Sequence, residues 1–294
     1  MAVVPVLEQV GESRRGIFWE LLRNPKFTTG AAIFLALLLI ALVGNVFVDP
    51  AQRRSGAVEV RQPPGAGALL GTTSLGQDVA IQLTQAIPNS VQVGLIAATV
   101  GTLLGALIGF TSGYFGGWVD ALLRLLIDVF LSVPSLLFLI LIAALVRGVG
   151  VMTMALIIGA FAWPSPARQV RAQVLSLKER GFVQVARISG MNGMEIIVRE
   201  LMPHMLQWLG ANFVNAFIAA VLAESGLSIL GLGPQRQMTL GMMIFWALNY
   251  SAILQNLWWW WVTPVVALMA LFLSLYLVHI GFDEVSNPRL RTEG

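Results

Sequence analysis

Asp, Glu, Lys and Arg are absent from six long stretches of this chain: between Lys26 and Asp49, Asp78 and Asp120, Asp128 and Arg147, Arg147 and Arg168, Glu200 and Glu224, and Arg236 and Asp283. A helix needs roughly 20 mostly apolar residues to cross about 30 Å of hydrocarbon, and there its backbone must satisfy its own hydrogen bonds. Each charge-free stretch can hold one crossing. Composition agrees: 57% of the 294 residues are apolar and 11% are charged, with a mean hydropathy of +0.79, far from soluble values. An all-α polytopic membrane protein with six transmembrane helices is expected, near residues 28–48, 90–114, 122–146, 152–166 (continuing unevenly toward 170), 204–230 and 258–282.

That reading divides the chain into a segment 1–27, a first span, a loop 49–89, a core of five spans over 90–282 and a tail 283–294. Positive residues near spans stay on the cytoplasmic side. Arg14, Arg15, Arg23 and Lys26 precede the first span, and Arg289 and Arg291 follow the last. Arg168, Arg171, Lys178, Arg180, Arg187 and Arg199 surround a polar island at 181–204. Six crossings put these three groups on one face, so both termini are expected in the cytoplasm. The opposite loops hold Arg53, Arg54, Arg61, Arg147 and Arg236. The first apolar run lacks a small-residue cleavage pattern near its end and reads as a retained span rather than a signal peptide.

Several chemistries are excluded by what the residues lack. There is no cysteine, hence no disulfide, thiolate nucleophile or thiol metal site. His204 and His279 lie on different expected elements, so no metal cluster is visible. The two lysines, Lys26 and Lys178, do not follow glycine, so the Gly-Lys-Ser/Thr step of a phosphate-cradling loop is missing. No nucleophile–base pair or paired acid–base constellation can be named. The chain is expected to be non-catalytic and to bind no cofactor itself.

Ionisable and polar residues inside spans are functional candidates by default. Arg124 and Asp128 have the spacing of an intrahelical ion pair, read as structural. Glu224, in Leu-Ala-Glu-Ser-Gly-Leu-Ser-Ile-Leu-Gly-Leu-Gly, either lines an outer gate or caps the glycine-rich turn through backbone amides. Asn212 and Asn215 either face a polar pathway or hydrogen-bond between helices. Trp258 to Trp261 read as an interfacial belt, with a stacking platform for a ligand as the alternative. Asn89-Ser90, after Pro88, reads as the start of the second helix.

Four stretches in order then carry a resemblance. They are Gly71-Thr72-Thr73-Ser74-Leu75-Gly76-Gln77-Asp78; Gly113-Tyr114-Phe115-Gly116-Gly117-Trp118-Val119-Asp120, continued by Arg124, Asp128 and Pro134; the island with Gln184-Val185-Ala186, Gly190 and Glu200-Leu201-Met202-Pro203; and Glu224-Ser225-Gly226-Leu227-Ser228-Ile229-Leu230-Gly231-Leu232-Gly233. From about Pro25 to Leu290 the chain resembles the C-type transmembrane subunit of dipeptide and oligopeptide ABC importers, in the binding-protein-dependent permease family. It departs from the pattern at Thr73, Gln77, Gln184 (where Glu is usual), Val185, Glu200 and Met202.

The resemblance implies a type I ABC importer permease fold in a bacterial or archaeal inner membrane. It also implies a cytoplasmic coupling helix docked to an ATPase, with Gln184, Ala186, Arg187, Gly190, Glu195 and Pro203 in the coupling region. Gly190 would supply the bend and Ala186 the close approach. Implied partners are a homologous second permease subunit, two ATPase subunits that use ATP and Mg, and an extracytoplasmic substrate-binding protein meeting the loops 49–89 and 231–257. Peptides are the first expectation for cargo, with oligosaccharides or metal chelates as alternatives. A secondary transporter, which calls for inverted repeats or intramembrane carboxylates, and a membrane scaffold are the rival classes.

Overall fold

The computed structural model of the protein describes residues 19–286 apart from 49, 66 and 147. Arg14, Arg15, Arg147, Arg289 and Arg291, used above for orientation, lie outside the described residues. Among the described residues the architecture is all-helical, with one isolated antiparallel bridge between Thr72 and Asp78. Eleven α-helices lie wholly within the described residues: α1 Pro25–Phe47, α2 Val79–Phe115, α3 Gly117–Ser132, α4 Ser135–Leu145, α5 Val151–Ala162, α6 Pro164–Leu177, α7 Gly181–Ile188, α8 Gly193–Ile196, α9 Met202–Ile229, α10 Leu240–Asn249 and α11 Trp258–Ser286.

Four continuous helical runs are long and apolar enough to cross a membrane: Pro25–Phe47, Val79–Phe115, Gly193–Ile229 and Trp258–Val285. The pair α3–α4, bent by 77°, is apolar enough to make a fifth if its two helices form one broken span rather than a re-entrant loop. The expected fourth span is not one helix. It is α5, whose 12 residues reach only about 18 Å, followed after Trp163 by α6. Pro164 and Pro166 lack the N–H groups that would bond back to Ala160 and Ala162, so the ladder breaks there, while Trp163 itself keeps helical angles. The bend between α3 and α4 has the same origin in Pro134, which forces the residue before it into an extended conformation.

Helix α2 begins at Val79, eleven residues before the expected start at Ser90. Asp78 caps it, accepting from Ala80 N at 2.7 Å and Ile81 N at 3.3 Å, and Pro88 is absorbed inside the helix. Its 37 residues span about 55 Å, well over the roughly 30 Å of hydrocarbon. Gly101, Gly105, Gly109 and Gly113, four apart, form a stripe on one face. A Cβ on them would stand 2.7 Å from Ala162 Cβ, 2.6 Å from Pro166 Cβ, 2.6 Å from Val170 Cβ and 2.8 Å from Val174 Cβ, respectively. The α5–α6 backbone therefore lies directly against α2, as small residues permit in membrane helix packing.

Helix α1 has little buried surface, with only Gly30 and Ala41 enclosed. It leans on α11, where a Cβ on Gly30 would be 2.6 Å from Ser274 O. Lys26 pairs with Glu284, which also accepts from Asn24 Nδ2 at 2.8 Å. The first and last described helices thus meet at their charged ends.

The loop expected at 231–257 contains α10, a buried apolar helix that the sequence reading missed. Thr239 caps it, accepting from Met242 N at 3.2 Å, and Leu240 N donates to Ser90 Oγ at 3.0 Å. Asn89 Nδ2 donates to Met238 O at 2.7 Å. Asn89 and Ser90 do not start a helix; they fasten α2 to the segment leading into α10.

Candidate functional site

The polar island at 181–204 folds as a hairpin, α7 and α8, between α6 and α9. Lys178 Nζ donates to Gly113 O at 3.0 Å, anchoring the end of α6 at the end of α2. In α7 the residues Val183 and Ala186 turn inward and join Val170, Val174, Ile196 and Leu201 in one cluster. The other face carries Gln184, Val185, Arg187 and Ile188. Val185 is 64% exposed, Ile188 88% and, across the turn, Met194 56%.

The turn itself is a Schellman motif. Met191 N donates to Ala186 O and Gly190 N to Arg187 O, both at 3.2 Å, closing the free carbonyls of α7. Gly190, at φ +85°, is the left-handed residue that this motif requires. Asn192 then caps α8, accepting from Glu195 N at 2.9 Å, and a Cβ on Gly193 would stand 2.8 Å from Tyr114 Cε1. The hairpin rests on the last turn of α2, where the Arg187 guanidinium also lies 5.9 Å from the Tyr114 ring centre.

Pro203 shapes the exit. Without an N–H and with a ring that crowds the carbonyl of Arg199, it is preceded by a π-turn over Ile197–Leu201, in which Met202 N bonds to Ile197 O. Inserted turns of this kind relieve such conflicts. His204 stacks on Phe182, ring centres 4.4 Å apart, and so ties α9 to α7. Glu195 pairs with Arg199 at 2.7 Å.

The structure brings Gln184, Arg187, Gly190 and Glu195 to the hairpin surface or its turn. Gln184 is exposed and Nε2 donates to Glu179 O at 3.3 Å. Ala186 differs from expectation: it is buried in the chain's own core, so its small size serves the packing of α7 on α6 rather than an outer surface. Pro203 acts through the π-turn.

Two ion pairs lock α3 to α6 beside the hairpin. Asp120 takes a two-pronged contact from Arg171, Nε to Oδ1 and Nη2 to Oδ2, both 2.6 Å, and accepts from Ser112 Oγ. Arg168 Nη2 donates to Asp128 Oδ1 at 2.6 Å. The expected partner of Asp128, Arg124, sits on the same helix but only within 3.6 Å. Its pairing is real but secondary, because the helical spacing fixes proximity while Arg168 on α6 makes the closer, hydrogen-bonded contact. The signal was present as two faces: Asp120, Arg124 and Asp128 at steps of four, against Arg168 and Arg171 at a step of three.

Towards the other end of α9, Glu224 is fully buried. Its Oε1 accepts from Thr239 Oγ1 at 2.6 Å and Ser228 Oγ at 2.7 Å, and Oε2 from Ser225 Oγ at 3.4 Å. It thus caps no turn through backbone amides; hydroxyls from α9 and from the cap of α10 enclose it, because the glycines at 233 and 241 let the backbone close over Ser225 and Ser228. Asn212 and Asn215 share a face of α9. Asn212 Nδ2 donates to Trp208 O within its own helix at 2.9 Å, not across helices. Both line a cavity of about 340 Å³ between α9 and the α3–α6 region.

The tryptophan run also departs from a lipid belt. Trp258 is exposed, but Trp259 and Trp260 are buried. Trp259 Nε1 donates to Thr72 O at 3.0 Å, and the Thr72 hydroxyl, donating to Glu59 O at 2.7 Å, holds the loop after α1. Gly71, at φ +76°, lies so close that a Cβ would reach 2.6 Å from the Trp259 ring.

Residues 101–292 match the family described as binding-protein-dependent transport system inner membrane component. A putative peptide transport system permease protein of Brucella suis is 30% identical over 277 residues, 94% of this chain and 92% of that protein. The dipeptide transport system permease protein DppC of Bacillus subtilis is 30% identical over 275 residues, 93% of this chain and 85% of the other. The oligopeptide transport system permease protein OppC of Mycobacterium tuberculosis is 32% identical over 175 residues, 59% of this chain and 60% of the other. Among solved structures, a chain of the MetNI methionine ABC transporter in inward-facing conformations superposes with a TM-score of 0.55 at 20% identity, covering 72% of this chain and 97% of that one. Helix order, fold and relatives converge: this chain belongs to the binding-protein-dependent transport system inner membrane components and is a permease subunit of an ABC importer.

Proposed function

We propose that the chain forms half of the translocation pathway of an ATP-driven importer of short peptides and that the α7–α8 hairpin is its ATPase-docking element. The observation that carries this reading is the apolar outer face of the hairpin, Val185, Ile188 and Met194, standing exposed among Arg180, Arg187 and Arg199. Such a patch rimmed by charges marks a protein interaction surface. The opposite face is packed into the core, so displacement of the hairpin moves α2, α6 and α9 with it.

In this reading the hairpin and both termini are cytoplasmic, following the positive-inside bias. ATP and Mg are held by two separate ATPase subunits and none by this chain. A homologous second permease completes the pathway, and an extracytoplasmic binding protein meets the segments 49–89 and 231–257. Gln184 offers the ATPase an amide in place of a carboxylate, and Arg187 supplies the charged contact. Peptide cargo is supported by relatives that align over more than nine-tenths of the chain and are named peptide and dipeptide permeases.

The chain has no cysteine, which makes site-specific crosslinking clean. Ile188→Cys in native membranes should crosslink to a nucleotide-binding subunit, whereas Leu254→Cys, 85% exposed between α10 and α11, should not. Equal crosslinking from both positions, or none from Ile188→Cys, rejects the docking role.

A further inference from the structure

Asn215 stands midway along α9, in the stretch between Glu200 and Glu224 that carries no Asp, Glu, Lys or Arg. Its side chain is exposed and makes no hydrogen bond with the described residues. Facing lipid tails, a primary amide at that depth leaves two donors and an acceptor unpaired, which hydrocarbon strongly penalises; polar groups in spans face the bundle interior or a watery cavity instead. The amide opens into the cavity of about 340 Å³, at the lower end of the range for small-molecule sites, about 300–1,000 Å³.

The walls combine two kinds of chemistry. Phe130 and Phe161, with the prolines at 134, 164 and 166, supply apolar faces, and Ser165, Gln169, Asn212 and Asn215 supply neutral polar groups. Asn212 Nδ2 is tied to Trp208 O and Gln169 Nε2 to Ser165 Oγ at 3.1 Å. That leaves the Asn212 and Gln169 side-chain oxygens as acceptors and the Asn215 amide whole. Among the described residues, none that lines the cavity is charged.

We propose that this cavity receives one uncharged, apolar side chain of the peptide in transit, while the amides meet the peptide groups on either side of it. The inference rests on the peptide-importer reading above. A carboxylate or ammonium entering here would lose water without meeting a counter-charge.

The test uses the complex purified with its native partners and reconstituted in liposomes, with uptake of Ala-Leu-Ala, Ala-Asp-Ala and Ala-Lys-Ala measured side by side. The binding protein is the same throughout, so a change in ratio between variants reports this chain. Asn215→Asp should raise Ala-Lys-Ala uptake relative to Ala-Leu-Ala by about tenfold, the scale of discrimination by single pocket contacts. Phe161→Ala should selectively lower Ala-Leu-Ala. Unchanged ratios in both Asn215→Asp and Phe161→Ala overturn the inference and leave the importer reading intact. Loss of the second permease from purified Asn215→Asp complex assigns the face to a subunit interface and also overturns it. An unmodified complex that hydrolyses ATP but takes up none of the three peptides overturns the peptide reading itself, and the inference with it.

Discussion

Gly190 offers the sharpest test of how the hairpin is built, because two mechanisms predict different rank orders. A Cβ at this position meets nothing within 4 Å, so a larger residue causes no clash within the chain. The backbone, at φ +85°, is what resists substitution: an L-residue in the left-handed region costs roughly 1–2 kcal/mol, and Asn tolerates it better than others. The cost falls on the closed hairpin, since the bonds from Gly190 N and Met191 N exist only in that turn. One or two kcal/mol is a factor of about 5–30 in an equilibrium. Gly190→Val and Gly190→Ala should therefore weaken binding of the purified ATPase by about that factor, the β-branched Val more than Ala, with membrane insertion unchanged. Gly190→Asn, although bulkier than Ala, should bind better than either. Titrating ATPase onto the permease in lipid nanodiscs gives the three affinities. An order set by size, with Ala tighter than Asn, would refute the backbone argument and place steric obstruction at the docking surface instead.

Further outcomes follow from the packing. Gly109→Ala drives a Cβ to 2.7 Å from Ala167 O, backbone that cannot rotate away, and should cost about 1–3 kcal/mol by overpacking, read as a lower thermal midpoint in detergent. Glu224→Gln keeps an acceptor for Thr239 and Ser228 and should unfold close to the unmodified protein, while Glu224→Ala strands buried hydroxyls and should lose about 1–3 kcal/mol, with protease cleavage appearing first in 231–239. Trp259→Phe removes the hydrogen bond to Thr72 O, about 1 kcal/mol, together with part of a buried ring, and should sensitise residues 50–78 to proteolysis without changing ATPase retention.

The long helices were legible because hydrocarbon demands a length and an absence of charge, and both are visible residue by residue. What escaped depends on pairs distant in sequence. The start of α2 was hidden because Pro88 reads as a boundary, whereas the cap at Asp78 outweighs it. Helix α10 was hidden because an outer segment is expected to be loop, and its burial follows from bonds to Asn89 and Ser90, about 150 residues earlier. The tryptophan belt was misread for the same reason: the Nε1 partner of Trp259 is Thr72 O, 187 positions away. At the hairpin, the position of Gly190 was readable as a bend, but the inward face of Ala186 was not, since helical phase within eight residues is settled by what α6 and α9 present to it. Likewise the spacing of Arg124 and Asp128 announced a pair, and only the approach of α6, allowed by the glycine stripe, made Arg168 the closer partner.

Helix α2 has a mechanical meaning as a single transmission shaft. Its first turn is capped by Asp78, beside the Thr72–Trp259 anchor, and its last carries Tyr114, on which the hairpin sits, with Lys178 fastened to Gly113 O. The two faces of the membrane are thus joined by one rod rather than by a relay of side chains. In the proposed importer, a tilt of the hairpin is carried along this rod toward the loop that ends at Asp78, over a length of about 55 Å. Pro88, where one ladder hydrogen bond is missing, lies near the Asp78 end of that rod, and the glycine stripe at 101–113 zips the hairpin end to α5–α6.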